Sequence, residues 1–461
     1  MNSNSNEKLN PKGSTLGKHT IWQLKSGLDR RFKAGHPWVF SNELTASPKG
    51  VTAGAPIELR DQQGGFLAWG YGNPASLISF REISRNPEEL DALAVSGFVR
   101  RLKSCLALRR SSGLLTSSFR WVFGEADGLP GLILDRYLLL GETSSGESPK
   151  NQVLVLQAHT AGIEALKSVI LEALETLIRE GGSGLPAWEH TAIVIRDDVS
   201  TRKLEGLLAP EEGTTLIRDP QGVLKRSEQQ ILVEDPLHPG PGSSASFWCD
   251  LKAGQKTGFF LDQRSNVGIA TEILRTAFAG QKKLRILDLC TYVGQWSTRL
   301  VGAARGAGID QIEVTLVDAS ARALSLASRN VGQFGVESRL IQGDVLKDLK
   351  DLPDEGFDLV IADPPAFIKS RKDVGPGSHA YLQLNTQAIR VLRRSGGVLV
   401  SCSCSANFDE ETMQKTLAKA AQRNRASVRY IARGGMTPDH PMRLEFPEGH
   451  YLKAWYALTQ A

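Results

Sequence analysis

The sequence predicts an α/β protein in which a C-terminal doubly wound domain follows a small β-rich barrel and an α+β region. The chain has 461 residues, which is too long for one hydrophobic core and typical of two or three domains. Short apolar runs broken by turn residues fill the N-terminal part, as expected for a barrel or sandwich. Strand and helix patterns alternate after residue 245, which is typical of a doubly wound sheet.

Composition shifts along the chain predict the boundaries of these regions. Residues 1–20 are polar and lack an apolar run, so we expect a disordered arm and not a signal peptide. Residues 21–87 hold the β-like runs of the small barrel, and residues 90–235 mix a basic helix with several strands. The Pro-, Gly- and Ser-rich stretch 235–246 predicts a linker or a tight turn. Residues 245–461 form the doubly wound α/β domain.

Composition and charge narrow the class of protein. Apolar residues make up 41% and charged residues 23%, which is ordinary for a soluble globular protein. No apolar run reaches the roughly 18 residues that a membrane span needs. The net charge of +5 gives a mild preference for polyanions. Six basic residues and no acid lie between Arg100 and Arg120, which predicts either a solvated helix face or a phosphate-binding surface.

The cysteines argue against a disulfide framework. There are only five, an odd number, and no signal peptide precedes them, so we expect a reducing cytoplasm. Zinc sites usually combine a C-x₂₋₄-C pair with a second pair of ligands, and the sequence has neither CxxC nor HxxxH spacing. No metal site is therefore expected. Two of the five, Cys402 and Cys404, lie one residue apart in the sequence SCSCS, directly after an apolar run.

Four acids end or closely follow successive predicted strands of the α/β domain: Asp288, Asp318, Asp344 and Asp363. Carboxyl ends of parallel strands meet at one edge of a sheet, where open α/β folds bind ligands. A single acid at such a place is as often a helix N-cap, but four in order point to a ligand. Asp318 follows Gly294 by about twenty residues, where an acid accepts hydrogen bonds from ribose hydroxyls.

The first strand of this domain lacks the glycine pattern that binds a pyrophosphate. It runs into CTYVGQWS, which is not GxGxxG, so no glycine trio lets the backbone approach a diphosphate. A ribose-binding acid without a phosphate loop fits a cationic nucleoside that carries no phosphate. The sequence therefore predicts S-adenosylmethionine as the cofactor.

Three stretches of this domain resemble the motifs of class I methyltransferases. Residues 288–297 resemble motif I, DPPAF at 363–367 resembles motif IV, and SCSCS at 401–405 resembles motif VI. More specific stretches resemble the bacterial 5-cytosine methyltransferases of large-subunit ribosomal RNA, which carry an N-terminal PUA domain. They are HPWVFSNEL at 36–44, GEADGLPGLILDRY at 124–137, KTGFFLDQR at 256–264 and DHPMRLEFPEGHYLK at 439–453.

This resemblance covers nearly the whole chain past residue 20 and implies the roles of its parts. It implies a PUA domain at 21–87, a Rossmann-like class I methyltransferase domain at 245–461 and a central α+β domain between them. It also implies large-subunit ribosomal RNA as partner and a cytoplasmic location; a homodimer is left open. The cofactor-binding residues that it implies are Asp288, Gly294, Asp318, Asp344 and Asp363.

Methylation at C5 of cytosine would explain the paired cysteines. C5 is not nucleophilic enough by itself, and a thiolate that adds to C6 activates it. The resemblance implies Cys402 as this nucleophile and Asp363 as the acid that bonds the base edge. Cys404 stays open as the nucleophile, because strand alternation places both thiols on the same side. Both cysteines could also be core thiols.

Other functions remain open at this point. A methyltransferase that acts on another base or atom of ribosomal RNA needs no cysteine. A non-catalytic RNA-binding factor for ribosome assembly would need neither the acids nor the thiol. Four aromatic residues of the first region are candidates either for stacking on bases or for the barrel core: Trp38, Phe66, Trp69 and Tyr71.

Overall fold

A computed structural model of the chain describes residues 19–140, 151–208, 214–347 and 349–460. The predicted disordered arm at 1–20 lies outside the described residues, except for its last two positions. Among the helices of the described ranges, none is both long enough and apolar enough to cross a membrane. Besides the regular elements, short 3₁₀ helices occur at Ser41–Glu43, Leu114–Thr116, Gly124–Asp127, Trp188–His190, Ser200–Glu205, Leu261–Gln263, Arg371–Asp373 and Pro447–Gly449.

The N-terminal region is a five-stranded sheet. Its elements are β1 (Thr20–Gln23), α1 (Arg30–Lys33), β2 (Trp38–Phe40), β3 (Pro56–Arg60), β4 (Phe66–Gly72) and β5 (Ile78–Ser84). The strand order is β1-β3-β4-β5-β2, and only the β1–β3 pair is parallel. One cluster of buried apolar side chains, which includes Trp22, Phe32 and Phe80, fills its interior.

The aromatic residues of this sheet serve packing. Trp69 and Tyr71 are buried in the core that this region shares with the central region. Phe66 packs on Trp69, with 5.3 Å between the ring centroids. Trp38 is half-buried, and its indole N–H donates to Glu125 Oε1 at 2.9 Å. The stacking role considered for these rings therefore has no support in the structure.

The central region is a second five-stranded sheet with two helices. Its elements are α2 (Val95–Ser111), β6 (Phe119–Phe123), β7 (Leu132–Leu138), β8 (Gln152–Ala158), α3 (Ala161–Glu180), β9 (Thr191–Arg196) and β10 (Thr214–Arg218). The strand order is β10-β9-β8-β7-β6. Helices α2 and α3 pack on each other, and their apolar faces bury residues such as Phe98, Leu102 and Ile163 against this sheet.

Five of the six basic residues in the stretch from Arg100 to Arg120 pair with acids from other segments, and the sixth, Arg110, donates to the backbone carbonyl of Ser183. The ion pairs are Arg100 with Glu89 and Asp91, Arg101 with Glu89, Lys103 with Glu180, Arg109 with Asp127, and Arg120 with Asp135. Arg109 and Arg120 are buried, so they bridge elements of the fold instead of facing solvent. The interpretation of this stretch as a phosphate-binding surface is therefore not supported. It is not simply a solvated helix face either, because most of its basic residues form ion pairs and two are buried.

A hairpin joins the central region to the C-terminal one. It consists of β11 (Gln229–Glu234) and β12 (Ser244–Cys249), which pair antiparallel. The Pro-, Gly- and Ser-rich stretch forms the turn between these two strands. Trp248 on β12 donates its backbone N–H to Asn330 Oδ1 at 2.7 Å, which fixes the hairpin to the C-terminal region.

The C-terminal region is a seven-stranded sheet covered by helices. Its elements are α4 (Arg264–Ala277), β13 (Lys283–Leu289), α5 (Gln295–Gly306), β14 (Gln311–Asp318), α6 (Ala321–Gly332), β15 (Ser338–Gln342), β16 (Leu359–Ala362), α7 (Val374–Val391), β17 (Val398–Ser403), α8 (Glu410–Arg423), β18 (Ser427–Gly434) and β19 (Lys453–Gln460). The strand order is β15-β14-β13-β16-β17-β19-β18. This is the doubly wound α/β architecture that the sequence predicts.

The topology of this sheet determines where a ligand binds. Strands β13 to β17 are parallel, whereas β19 is antiparallel to both of its neighbours, β17 and β18. The chain builds outward from β13 to β15 and then crosses to β16 on the other side of β13. The strand order reverses between β13 and β16, and open α/β sheets bind their ligands beyond the carboxyl ends at such a point.

Candidate active site

The structure brings the four predicted acids to one edge of the C-terminal sheet. Asp288 is the next-to-last residue of β13, and Asp318 is the last residue of β14. Asp344 follows the end of β15 by two residues, and Asp363 follows β16 directly. Because these strands are parallel, all four lie at their carboxyl ends, beside the point where the strand order reverses.

Asp288 is a fully buried carboxylate with one free oxygen. Its Oδ2 accepts hydrogen bonds from Thr291 Oγ1 at 2.8 Å and Ser297 Oγ at 2.7 Å. Its Oδ1 has no partner among the described residues, although it is buried. Burial raises the pKa of Asp288 to about 6. A buried acceptor without a donor is costly, so this oxygen favours a ligand that brings a donor or a positive charge.

The loop after Asp288 holds a strained backbone. Cys290 and Tyr292 have φ angles of 63° and 48°, a left-handed conformation that residues with side chains rarely adopt. Gly294 follows with φ 76°, and a Cβ there would lie 3.0 Å from Ala327 Cα on α6. Gly294 thus lets α5 begin tightly against α6. Strain of this kind is concentrated at ligand-binding loops.

Asp318 and Asp344 complete this side of the edge. The Asp318 carboxylate is half-buried and accepts backbone N–H bonds from Tyr292 and Ser320, both at 2.9 Å. Its position ties the end of β14 to the strained loop. Asp344 is also half-buried and accepts from the backbone N–H of Leu346 at 2.9 Å, which lowers its pKa. A carboxylate oxygen has more than one lone pair, so both acids can also accept hydrogen bonds from a ligand.

Asp363 is held by two donors that the sequence did not reveal. Gln263 Nε2 lies 2.9 Å from each carboxylate oxygen, and Trp296 Nε1 donates to Oδ2 at 2.9 Å. Burial, together with the nearby charge of Asp262, raises the pKa of Asp363 to about 7. Near neutral pH this carboxyl group is therefore divided between an acid that can donate a proton and a carboxylate.

The two cysteines of SCSCS have different environments. Cys402 lies within β17, is 1% exposed and packs in the apolar cluster that contains Tyr456. Burial raises the pKa of its thiol well above the usual value. Cys404 lies just past the end of β17 and is half-buried, with its Sγ 4.0 Å from the carbonyl oxygen of Pro364. Burial raises the pKa of Cys404 to about 11, and the nearby charge of Lys256 opposes that rise.

Lys256 is the residue whose positive charge lowers the pKa of the Cys404 thiol, and the sequence did not mark it as functional. Its backbone is left-handed, with φ 51°, and its Nζ lies 2.6 Å from Asp262 Oδ2 and 4.3 Å from the centre of the Phe260 ring. Asp262 Oδ2 also accepts from the hydroxyl of Tyr451 at 2.6 Å. Lys256 and Tyr451 lie in two of the stretches that carry the family resemblance, which is the signal that could have found them.

The central region anchors the loop that carries Lys256. Thr257 donates its hydroxyl to the buried carboxylate of Asp135 on β7. Arg120 on β6 binds both oxygens of the same carboxylate at 2.7 Å, and its backbone N–H donates to Asp439 Oδ2 at 3.0 Å. The site is therefore completed by residues outside the methyltransferase sheet.

The described side chains contain no group of three or more His, Cys, Asp or Glu residues arranged to hold a metal ion. The acids instead bring negative charge together at the sheet edge, and the charge of Asp288 helps to raise the pKa of Asp363. Such a group of carboxyl groups favours a cationic ligand.

Comparisons with known proteins identify the two terminal regions. Residues 23–85 match the PUA-like domain, and residues 252–430 match the methyltransferase small domain. A ribosomal RNA large subunit methyltransferase I from Erwinia tasmaniensis is 31% identical over 94% of this chain and 97% of its own length. The chain belongs to this methyltransferase family. The enzyme of the same name from Escherichia coli (strain SMS-3-5 / SECEC) is 30% identical over the same shares of both chains.

Solved structures agree with this fold. A protein from Streptococcus mutans, described as a SAM-dependent methyltransferase, superposes with a TM-score of 0.69 over 95% of this chain and 100% of its own, at 17% identity. A second structure, described as a methyltransferase complexed with SAH, superposes equally well. The relatives confirm the predicted family, and the solved structures confirm the predicted fold class.

The residues at the sheet edge fit S-adenosylmethionine. This cofactor is a nucleoside that carries positive charge and no phosphate. Asp318, at the end of β14, lies where ribose hydroxyls are bound in doubly wound folds. The free buried oxygen of Asp288 and the other acids of the sheet edge suit a cation, and the β13–α5 loop lacks the glycines that a pyrophosphate needs.

Proposed function

We propose that this protein transfers a methyl group from S-adenosylmethionine to C5 of a cytosine in large-subunit ribosomal RNA. The substrate class follows the names of the relatives, which match this chain along nearly their whole length. The PUA-like match at 23–85 supports RNA as the partner. The proposal divides the chain at the predicted boundaries, with RNA binding at 21–87, a central domain at 90–235 and chemistry at 245–461.

The observation that carries the C5 chemistry is the position of Cys404. Its thiol lies just past the end of β17, beside the loop that begins with Asp363 and Pro364. C5 chemistry needs a thiol that a base can reach, held rigidly beside the methyl donor. Cys402 is the residue expected from the family resemblance, but its thiol is buried in the core. We therefore assign the nucleophile to Cys404 and a packing role to Cys402.

Each step then falls to a residue of the site. When bound, S-adenosylmethionine supplies a methyl group on a positively charged sulfur. Cys404 loses its proton to solvent and its Sγ bonds to C6, while the protonated form of Asp363 gives its proton to N3. Electrons shift to C5, which would then bond to the methyl carbon as the carbon–sulfur bond breaks, and S-adenosylhomocysteine would leave as a neutral thioether. Loss of the C5 proton to a base and cleavage of the C6–Sγ bond restore the ring and the thiol, and N3 returns its proton.

Lys256 assists the first step in this proposal. A buried thiol ionises poorly, and a nearby positive charge favours the thiolate. Asp262 and the Phe260 ring hold the Lys256 ammonium in place. The ammonium has three N–H donors, and its contact with Asp262 does not use all of them. The central region fixes the same loop through Thr257 and Asp135. The reactive thiol therefore depends on contacts between the central and the C-terminal regions of the chain.

The test is to identify the methylated nucleoside. Large-subunit ribosomal RNA transcribed in vitro is incubated with the protein and S-adenosylmethionine, digested to nucleosides and separated by mass spectrometry. We expect 5-methylcytidine, and none with the Cys404→Ala variant. A methylated guanosine or a methylated exocyclic nitrogen would favour action on another base or atom. RNA binding without any methylation, on naked RNA and on isolated subunits alike, would favour a non-catalytic assembly factor.

A further inference from the structure

The segment that follows Asp363 lies against the cysteine turn. The backbone N–H of Ile368 donates to Ser405 Oγ at 3.1 Å, and the carbonyl of Pro364 lies 4.0 Å from Cys404 Sγ. Phe367 packs on Tyr381, whose hydroxyl bonds to Ser403 and Ser405. The residues directly after Ile368 are therefore held at the mouth of the site.

Three basic residues occupy this position: Lys369, Arg371 and Lys372, here called the basic rim. All three are exposed, and none forms an ion pair or a side-chain hydrogen bond with any residue that the structure describes. The one acid among their immediate neighbours, Asp373, instead accepts from Ser370 Oγ at 2.6 Å. The basic rim thus carries positive charge that the described fold does not neutralise.

The basic rim lies just before the start of α7, and the arginines at the other end of α7 are paired with acids. At the carboxyl end of α7 and just beyond it, every arginine has an acidic partner: Arg390 with Asp354, Arg393 with Asp358, and Arg394 with Glu355. Most of the basic stretch of α2 is paired in the same way, and its one arginine without an ion pair among the described residues, Arg110, donates to the backbone carbonyl of Ser183. What distinguishes the basic rim is therefore its position: its exposed cations have no acidic partner among the described residues, and they follow the segment that lies against the cysteine turn.

We propose that the basic rim binds the phosphates of the RNA strand next to the target nucleotide. The inference rests on the proposed RNA substrate and adds the surface that the strand follows. The cofactor has no phosphate, so it offers these cations no partner. Exposed lysine and arginine side chains bind a phosphate backbone mainly through charge, which makes binding dependent on salt.

The experiment compares two triple variants of the full chain that each remove three positive charges. Lys369→Gln, Arg371→Gln and Lys372→Gln remove the basic rim. The control changes Lys419, Arg423 and Arg425 to Gln, which are also exposed and have no ion pair among the described residues. Helix α8 starts beyond the carboxyl end of β17 and runs away from it, so these control residues lie toward the opposite edge of the sheet.

The readout is the affinity for in vitro transcribed large-subunit ribosomal RNA, measured at several salt concentrations with S-adenosylhomocysteine present. Each phosphate contact contributes about 0.7 to 0.9 to the slope of log affinity against log salt. We expect the rim variant to lose about 2 to 3 from this slope and the control to match the wild type. Cofactor affinity should be unchanged in both, which shows that the site is still folded.

Two outcomes separate this inference from the proposed function. Equal slopes for wild type and rim variant, with normal RNA binding, contradict the basic rim and leave the proposed substrate standing. An absence of salt-dependent RNA binding by the wild type contradicts the proposed substrate itself. An equal loss in both triple variants also contradicts the rim, because the effect then follows total charge and not position.

Discussion

On the side of β13, β14 and β15, each acid of the sheet edge is held by residues in the loops or helix starts that follow these strands. Asp288 bonds to Thr291 and Ser297, and Asp318 to the backbone of Tyr292 and Ser320. We call this side the cofactor half. On the side of β16 and β17, called the base half, Asp363 and Cys404 depend on distant residues: Lys256, Asp262, Gln263 and Trp296.

The difference shows how the chain divides its tasks. The cofactor half is built by consecutive strand-loop-helix units, so it needs little beyond the sheet itself. The base half needs the loop before α4, which is fixed by Asp135 of the central region, and Tyr451 at the entry to β19. We expect changes in the cofactor half to act on cofactor affinity, and changes in the base half to act on turnover with cofactor affinity intact.

The largest effect is expected from the nucleophile. Cys404→Ala should lower methylation by at least about 1000-fold, because removal of a nucleophile eliminates the covalent path. Cys402→Ala should keep most activity, since its thiol contributes packing. Turnover is measured with large-subunit ribosomal RNA, and cofactor binding by calorimetry should be unchanged in both. A dead Cys402→Ala variant with normal folding and an active Cys404→Ala variant would reverse the assignment.

The cofactor half gives the next largest effect. Asp318→Ala should weaken binding of S-adenosylmethionine by about 10- to 150-fold, the loss of roughly 1.5–3 kcal/mol for hydrogen bonds to a charged group. Glu313→Ala is the control, because it removes an exposed acid from the start of the same strand. Calorimetry measures both, with thermal unfolding as a check on the fold. An Asp318→Ala variant with wild-type affinity would contradict its role at the ribose.

A smaller effect is expected from the cation beside the thiol. Lys256→Met should slow alkylation of Cys404 by iodoacetamide by about three- to tenfold at pH 8, because loss of a positive charge disfavours the thiolate. Other charged or titratable groups that act on this thiol are Asp262, Asp363, Tyr381, Tyr451 and Lys453. Below a thiol pKa of about 11, the rate should rise with pH in every variant.

Two further variants control for the charge and for the loop. Lys256→Arg keeps the charge and should alkylate nearly as fast as the wild type. Lys252 lies on the same loop, and its Nζ donates to the carbonyl of Leu224. Lys252→Met should therefore leave the alkylation rate unchanged. Mass spectrometry of the peptide that contains Cys404 measures the rate. Equal rates for Lys256→Met and wild type would remove Lys256 from the mechanism.

The sequence predicted the placement of the acids well because that information is local. A strand that ends in an acid can be recognised from a few residues, and strand direction then brings Asp288, Asp318, Asp344 and Asp363 to one edge. Family resemblance added the order of the three regions. Gly294 was expected for the cofactor, and the structure adds a packing reason, its contact with Ala327.

What the sequence missed depends on contacts between distant segments. Gln263 reaches Asp363 across 100 positions, and Thr257 reaches Asp135 across 122, and no periodic pattern records such pairs. The basic stretch of α2 looked free because its acidic partners lie elsewhere in the chain. Strand alternation placed Cys402 and Cys404 on the same side. It could not tell that Cys402 is paired with Ala454 of β19 within the sheet, whereas Cys404 lies past the end of β17.

The assignment of Cys404 is tested most directly by trapping the covalent adduct. Large-subunit ribosomal RNA that contains 5-fluorocytidine is incubated with the protein and S-adenosylmethionine, because fluorine at C5 blocks the proton loss that releases the enzyme. The crosslinked peptide is then sequenced by mass spectrometry. We predict that the nucleotide is attached to Cys404, and that Cys402→Ala still forms the adduct. Attachment to Cys402, or no adduct from a preparation that makes 5-methylcytidine, would contradict the account.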